Sequence, residues 1–180
     1  MNNLEKYIET VRSSSAENEQ AIYLLYTNQL YNNVVATLRR ELDLYVKTLY
    51  LLNQSEDEQK RLLAEFSQNK QWTNSRGKRL TDRCMLDYAS NITGSGWAQI
   101  SYKFGCSFIH LSILHNWANN DVDTIPPTDE KQAIVDYINH YHVANLNLES
   151  SFSDVMQYSL CIFEKIRTNM ESYLERLELI

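Results

Sequence analysis

Apolar side chains recur at steps of three and four over long stretches of this chain, the spacing of one helix face. The clearest run is Leu30, Val34, Leu38, Leu42, Tyr45, Leu49 and Leu52. Upstream, Asn3–Arg12 reads as a short amphipathic helix. Ser15, followed by acidic Glu17 and Glu19, has the form of an N-cap starting a second one. That pattern continues to about Leu52, as one unusually long helix or as two that part at Tyr31-Asn32-Asn33. Ser55 with Glu56 and Glu58 opens another helix, to about Gln68, by capping and dipole complementarity.

Periodicity is lost over 69–83, NKQWTNSRGKRLTDR, a polar stretch with one glycine that reads as the main loop. Thr81-Asp82 restarts a helix ending near Asn91, and Thr93–Gly96 is a turn. A helix from about Trp97 to Asn119 follows, closed before Pro126-Pro127, which cannot sit inside one. Pro127–His142 is a further helix, with Asp129 and Glu130 in its first turn. After a loop at 143–151, Ser153–Leu177 is the last, with Val155, Leu160, Phe163, Ile166, Met170, Tyr173, Leu174 and Leu177 in period. No segment alternates as a strand would, and no internal repeat is present. The expected fold is all-α, an antiparallel bundle of four to five main helices plus short ones, in a single domain spanning 1–180.

Composition agrees. The 180 residues include only 4 Gly and 2 Pro, so tight turns are few and long helices are favoured. No apolar run reaches membrane-spanning length, and the N-terminus lacks the basic and apolar regions of a signal peptide. The cysteines, Cys84, Cys106 and Cys161, are far apart and odd in number, which points to reduced thiols and a cytoplasmic location. No Cys/His spacing suits zinc, so neither metal nor cofactor is expected. The net charge of −6 disfavours a general nucleic-acid binder but leaves room for a local basic patch, and it equally suits a protein that binds a basic protein partner.

Candidate chemistry is concentrated in SYKFGCSFIHLSILHNW, 101–117, which holds two of the 4 histidines. At about 100° per residue, Trp97, Ile100, Phe104, Phe108, Leu111 and His115 share the core stripe. His115 thus reads as a hydrogen-bonded core histidine. Lys103, Ser107, His110, Leu114 and Trp117 form a second stripe. A lysine beside an imidazole lowers its pKa and can hold a phosphate next to a proton-transfer group, so Lys103, Ser107 and His110 are the candidate catalytic trio. The competing reading is a polar trio on a solvated or interface face. Gly105, mid-helix, marks close approach of a neighbouring helix.

Two other stretches stand out. Lys70, Arg76, Lys78, Arg79 and Arg83 crowd around Trp72 in the loop, five of the 17 basic residues. They make a candidate phosphate-contacting patch with a stacking ring, against the plainer reading of a solvated loop whose Trp folds back on the bundle. In RRELD, Arg39 and Asp43 stand at i,i+4, the spacing of an ion pair, and Glu41 and Tyr45 share another side; a structural polar network is the favoured reading. His140 and His142 fall at a helix end, where a protonated imidazole is favourable.

Asn33–Asn53 and Ser101–Ser112 together resemble the HEPN superfamily of bacterial helical proteins, and so do GKRLTDR (Gly77–Arg83) and YINHYH (Tyr137–His142). In that likeness a long helix carries an Arg-x-x-Glu-like element, here Arg39 or Arg40 with Glu41 and Asp43. A later helix carries a Tyr and then a His, here Tyr102 and His110. The resemblance covers roughly residues 20–177. It implies a helical bundle, a homodimer, and a role in defence or toxin–antitoxin systems. Active members are metal-independent ribonucleases with an Arg four to six residues before a His. Here no Arg stands at that interval; Lys103, with six residues between it and His110, takes the place, and lysine is a point charge where arginine is a fork. The expectation is therefore a HEPN-like protein that binds RNA with degenerate or weak metal-independent ribonuclease capacity. The alternative is a non-enzymatic, acidic immunity or antitoxin-like protein that covers a basic partner.

Overall fold

The computed structural model describes residues 2–93, 96–109 and 129–179. Helix α1 (Asn3–Thr27) starts at a capping box: the Asn2 side chain accepts from the Glu5 amide, and the Glu5 carboxylate accepts from the Asn2 amide. Two helices were expected here; there is one. The Ser13-Ser14-Ser15 run contains no Gly or Pro, and serine costs a helix interior only about half a kcal/mol. Ser15 is no cap. It sits buried in mid-helix and donates to Glu41.

The chain turns at Asn28–Leu30, where Gln29 takes a left-handed φ of 56°. Helix α2 (Tyr31–Leu52) then runs back along α1, so the long pattern does divide in two, but just ahead of Tyr31-Asn32-Asn33, which form the first turn of α2. Helix α2 is the axis of the molecule and packs against α1, α3, α4, α5 and the last helix. Its buried side chains include Leu38, Leu42, Tyr45 and Leu49, and also the polar Thr37, Arg39, Glu41 and Thr48.

Helix α3 (Glu56–Ser67) follows Ser55, as expected, and ends at Asn69 with another left-handed φ, 55°. Beyond the loop lie α4 (Asp82–Thr93) and α5 (Gly96–Ile109). On α5, Phe104 is buried while Trp97 and Ile100 pack partly buried against the core, so the stripe drawn from the wheel holds as far as Phe104. Its continuation, including His110, His115, Leu114 and Trp117, lies outside the described residues.

Helix α6 (Asp129–His142) packs on α5. The connection that follows is pinned by Asn139, whose amide group donates to the Leu146 carbonyl and whose oxygen accepts from the Leu146 amide. Buried Lys131 donates to the carbonyl of Leu148. The expected final helix is in two parts, α7 (Phe152–Met156) and α8 (Ser159–Glu178). A second capping box, Ser151 with Asp154, starts α7. At the junction the Tyr158 amide bonds only three residues back, to Val155, and the Ser159 hydroxyl takes the Met156 carbonyl. Serine competing for a backbone carbonyl interrupts the ladder without any Gly or Pro.

The protein is all-α: among the described residues the only β pairing is an isolated bridge, Thr73 with Arg79. Also among the described residues, no helix is long and apolar enough to cross a membrane. All three cysteines are unpaired thiols, Cys84 and Cys161 exposed and Cys106 half-buried.

Candidate nucleic-acid interface

The 69–83 stretch is held in shape from outside. Arg61 on α3 donates to Glu58 and Glu65 on its own helix, and across to the Thr73 hydroxyl at 3.2 Å and the Thr73 carbonyl. Glu65 answers by accepting from the Thr73 amide at 3.0 Å. Within the loop, the Asn74 side chain accepts from the amides of Arg76 and Lys78, and Gly77 supplies the left-handed φ of 71° that closes the turn. The Leu80 amide donates to the Trp72 carbonyl at 2.8 Å.

This fold of the loop decides where its side chains go. Trp72 is turned inward, 8% exposed, stacked 6.0 Å from Tyr7 and tilted 6.4 Å from Tyr50. The expectation of an exposed stacking ring is corrected: the burial of Trp72 anchors the loop. Arg76 and Lys78 stand exposed at the tip, and Arg83 is exposed in the first turn of α4. Lys70 and Arg79 stand at the two ends of the turn and line a cleft of about 390 Å³.

The cleft is shared by five helices and the loop. Tyr7, Thr10 and Val11 come from α1, Leu44 and Lys47 from α2, Phe66 from α3, Asp82 and Met85 from α4, and Tyr102 from α5. Its walls combine aromatic and apolar side chains with the polar Thr10, Asn69, Gln71 and Thr81, and its charged groups are Lys47, Lys70, Arg79 and Asp82. Lys70 and Arg79 make no ion pair among the described residues. Lys47 stands 3.9 Å from one oxygen of Asp82, and Arg39 stands 3.9 Å from the other.

Behind the cleft, Arg39 pairs with Asp43, as its spacing predicted, and is 6% exposed. Its guanidinium lies 3.6 Å above the centre of the Tyr102 ring. Burial raises the Tyr102 pKa, and the Arg39 charge opposes this, so the phenol stays a neutral donor at pH 7. Gly105, one turn along α5, makes room for the arrangement. A Cβ there would stand 3.0 Å from the Arg39 Cβ and 3.1 Å from its Cδ.

Two further polar groups sit deeper. Glu41 is fully buried and accepts from Ser15 at 2.5 Å and Asn18 at 2.8 Å, the structural network expected of it. Burial pushes its carboxyl up, against the two hydrogen bonds. Lys165 on α8 lies 3.2 Å over Tyr141, with Trp97 at 4.9 Å and Tyr137 at 5.1 Å. It has no carboxylate partner among the described residues, and burial lowers its pKa to about 8. His142 is pushed down as well, by burial and then by Lys165. The helix-end position had suggested a protonated imidazole; burial, joined by the neighbouring cation, works against that at His142.

Of the expected catalytic trio, Lys103 is exposed on α5, directly after the cleft-lining Tyr102, and Ser107 follows one turn later on the same helix. His110 lies outside the described residues. Three cleft residues were missed as such: Lys47, Asp82 and Tyr7. A signal for Lys47 was there. Arg39, Asp43 and Lys47 stand at i, i+4 and i+8, a polar stripe on an otherwise apolar helix.

The chain matches no family model, no curated protein and no solved structure. Chemically, the cleft offers three cations around an aromatic interior, the elements of a phosphate-bearing ligand site. Among the described residues no three His, Cys, Asp or Glu side chains group as a metal site requires.

Proposed function

We propose that this chain is a HEPN-like helical-bundle protein that binds RNA through the loop-side cleft. The observation that carries the reading is the convergence of Lys47, Lys70 and Arg79, from a helix and from both ends of a braced loop, on one cleft with aromatic walls. Arg76, Lys78 and Arg83 extend the positive field along the approach to it. In an acidic protein, such local clustering steers a polyanion to one face. The aromatic interior favours unpaired bases, so the ligand is single-stranded or looped RNA. Lys103, Ser107 and His110 are the groups through which residual metal-independent cleavage would run, and a homodimer is the assembly in which they would do so.

The test is binding of labelled tRNA and of a single-stranded oligoribonucleotide at low salt. Affinity falls as salt rises, by an amount set by the phosphates contacted. Lys70→Ala/Arg79→Ala weakens both ligands. Absence of binding at low salt removes the reading, and EDTA-resistant cleavage abolished by His110→Ala would establish the nuclease.

A second reading rests on a different face. Grooves along α1 and α8 are lined by Glu5, Glu9, Arg12 and Glu178, and further along by Arg12, Arg167, Glu171 and Glu175; Arg12 pairs with Glu171 and Glu178, so Glu9 and Glu175 carry the excess negative charge. That acidic seam favours a basic protein partner of the immunity or antitoxin kind. Stoichiometric co-purification of a basic protein, lost on Glu9→Lys/Glu175→Lys, would support it.

A further inference from the structure

The cleft holds one group that a plain phosphate site does not need. Asp82 is the single carboxylate among its lining residues, and it repels phosphate. Its two oxygens accept no hydrogen bond among the described residues; Lys47 and Arg39 are each 3.9 Å away, beyond hydrogen-bond reach. The side chain is one-third exposed, 33%, on the cleft wall at the start of α4. The two oxygens of a carboxylate only accept.

Such a group recognises a ligand with two parallel donors. Guanine presents N1–H and N2–H₂ side by side on one edge. Adenine and cytosine place an acceptor beside their amino group, and uracil has one donor between two carbonyls. A volume of about 390 Å³ falls in the usual range of small-ligand sites, roughly 300–1,000 Å³, and accommodates one nucleotide. The aromatic walls cover the base, and Lys70 and Arg79 at the rim meet the phosphate.

We propose that the cleft selects guanine, with Asp82 as the base-reading residue. The inference rests on the RNA-binding reading. Fluorescence anisotropy with four labelled octaribonucleotides, uridine runs carrying a single central G, A, C or U, tests it together with competition by GMP and AMP. The wild-type protein prefers the G-containing strand about tenfold, the discrimination of one good bidentate base contact, and GMP competes better than AMP. Asp82→Asn abolishes the preference while binding the other strands at least as well, because a negative charge has left the cleft. Lys70→Ala/Arg79→Ala weakens all four strands alike. Equal wild-type affinity for the four strands overturns the guanine assignment and leaves RNA binding standing. Failure to bind any of them overturns both. The wild-type comparison decides even where Asp82→Asn does not fold, and a retained G preference in a folded Asp82→Asn variant overturns the role of Asp82.

Discussion

Arg39 lies 3.6 Å over Tyr102 and Lys165 lies 3.2 Å over Tyr141, yet the two cations are handled differently. Arg39 has acids on two sides, Asp43 on its own helix and Asp82 across the packing, and a glycine clears space for its stem. Lys165 has only rings around it among the described residues. Arginine cannot shed its proton in a protein, so its burial requires counter-charge. Lysine can, and burial draws its pKa down to about 8, so it sheds its charge once the pH passes that value. Burial thus selects either a partner or a lower pKa, according to the side chain buried.

The comparison breaks most visibly at Arg39. Arg39→Ala leaves Asp43 without its partner and strips the face of Tyr102. Its expected cost is about 3 kcal/mol in urea unfolding, the low end for a broken buried pair because Asp43 is partly exposed. Lys165→Met removes a cation that has no partner to strand, so its cost stays below about 1 kcal/mol. Equal losses in the two variants would end the distinction. Gly105→Ala comes next. Crowding against the Arg39 stem costs about 1–3 kcal/mol, partly offset by the roughly 1 kcal/mol that alanine gains over glycine in a helix. A net loss near 1 kcal/mol is expected, and a net gain would show that Arg39 shifts freely.

The pH dependence sharpens the other half. Lys165 has a folded pKa of about 8 against 10.5 unfolded, so the unfolded chain binds more protons between those values. Its burial therefore destabilises the fold in full below about 8, and that penalty is relieved as pH rises toward 10.5. Wild type should therefore gain on Lys165→Met as unfolding is followed from pH 8 to 10, and a constant difference would contradict the lowered pKa. Smallest in stability is Lys70→Ala/Arg79→Ala, within about half a kcal/mol by thermal unfolding, because neither cation is buried or paired. Its larger effect is expected on the proposed RNA binding.

The helices were legible because burial writes a period of 3.6 into a chain, and the Arg39–Asp43 pair because one turn separates the two. Where the helices divide was harder. Ser13–Ser15 imitates a start but stays in mid-helix, where Ser15 finds a partner on α2, and the Met156–Ser159 junction carries no breaker residue, the Ser159 hydroxyl instead taking a carbonyl three residues back. The cleft was legible only in part. Lys70 and Arg79 announced themselves by charge, but Lys47, Asp82 and Tyr7 reach the same place from three different helices, and no one-dimensional spacing encodes that meeting. Trp72 shows the limit in another way: the same ring among the same cations serves a ligand or an anchor, and the Arg61 clamp that settles it is carried by α3.

Glu41 has a consequence for how the first two helices find each other. Its carboxylate is buried against α1, and only Ser15 and Asn18, three residues apart on one face, supply donors there. Sliding α1 by one turn along α2 would set the acid against Val11 or Ile22, buried apolar residues with nothing to donate. The apolar stripes alone tolerate such a slip, because leucines and valines pack nearly as well one turn away. The acid thus works as a key in the hairpin, giving up some stability to burial and leaving one alignment of the two helices as the place where it fits.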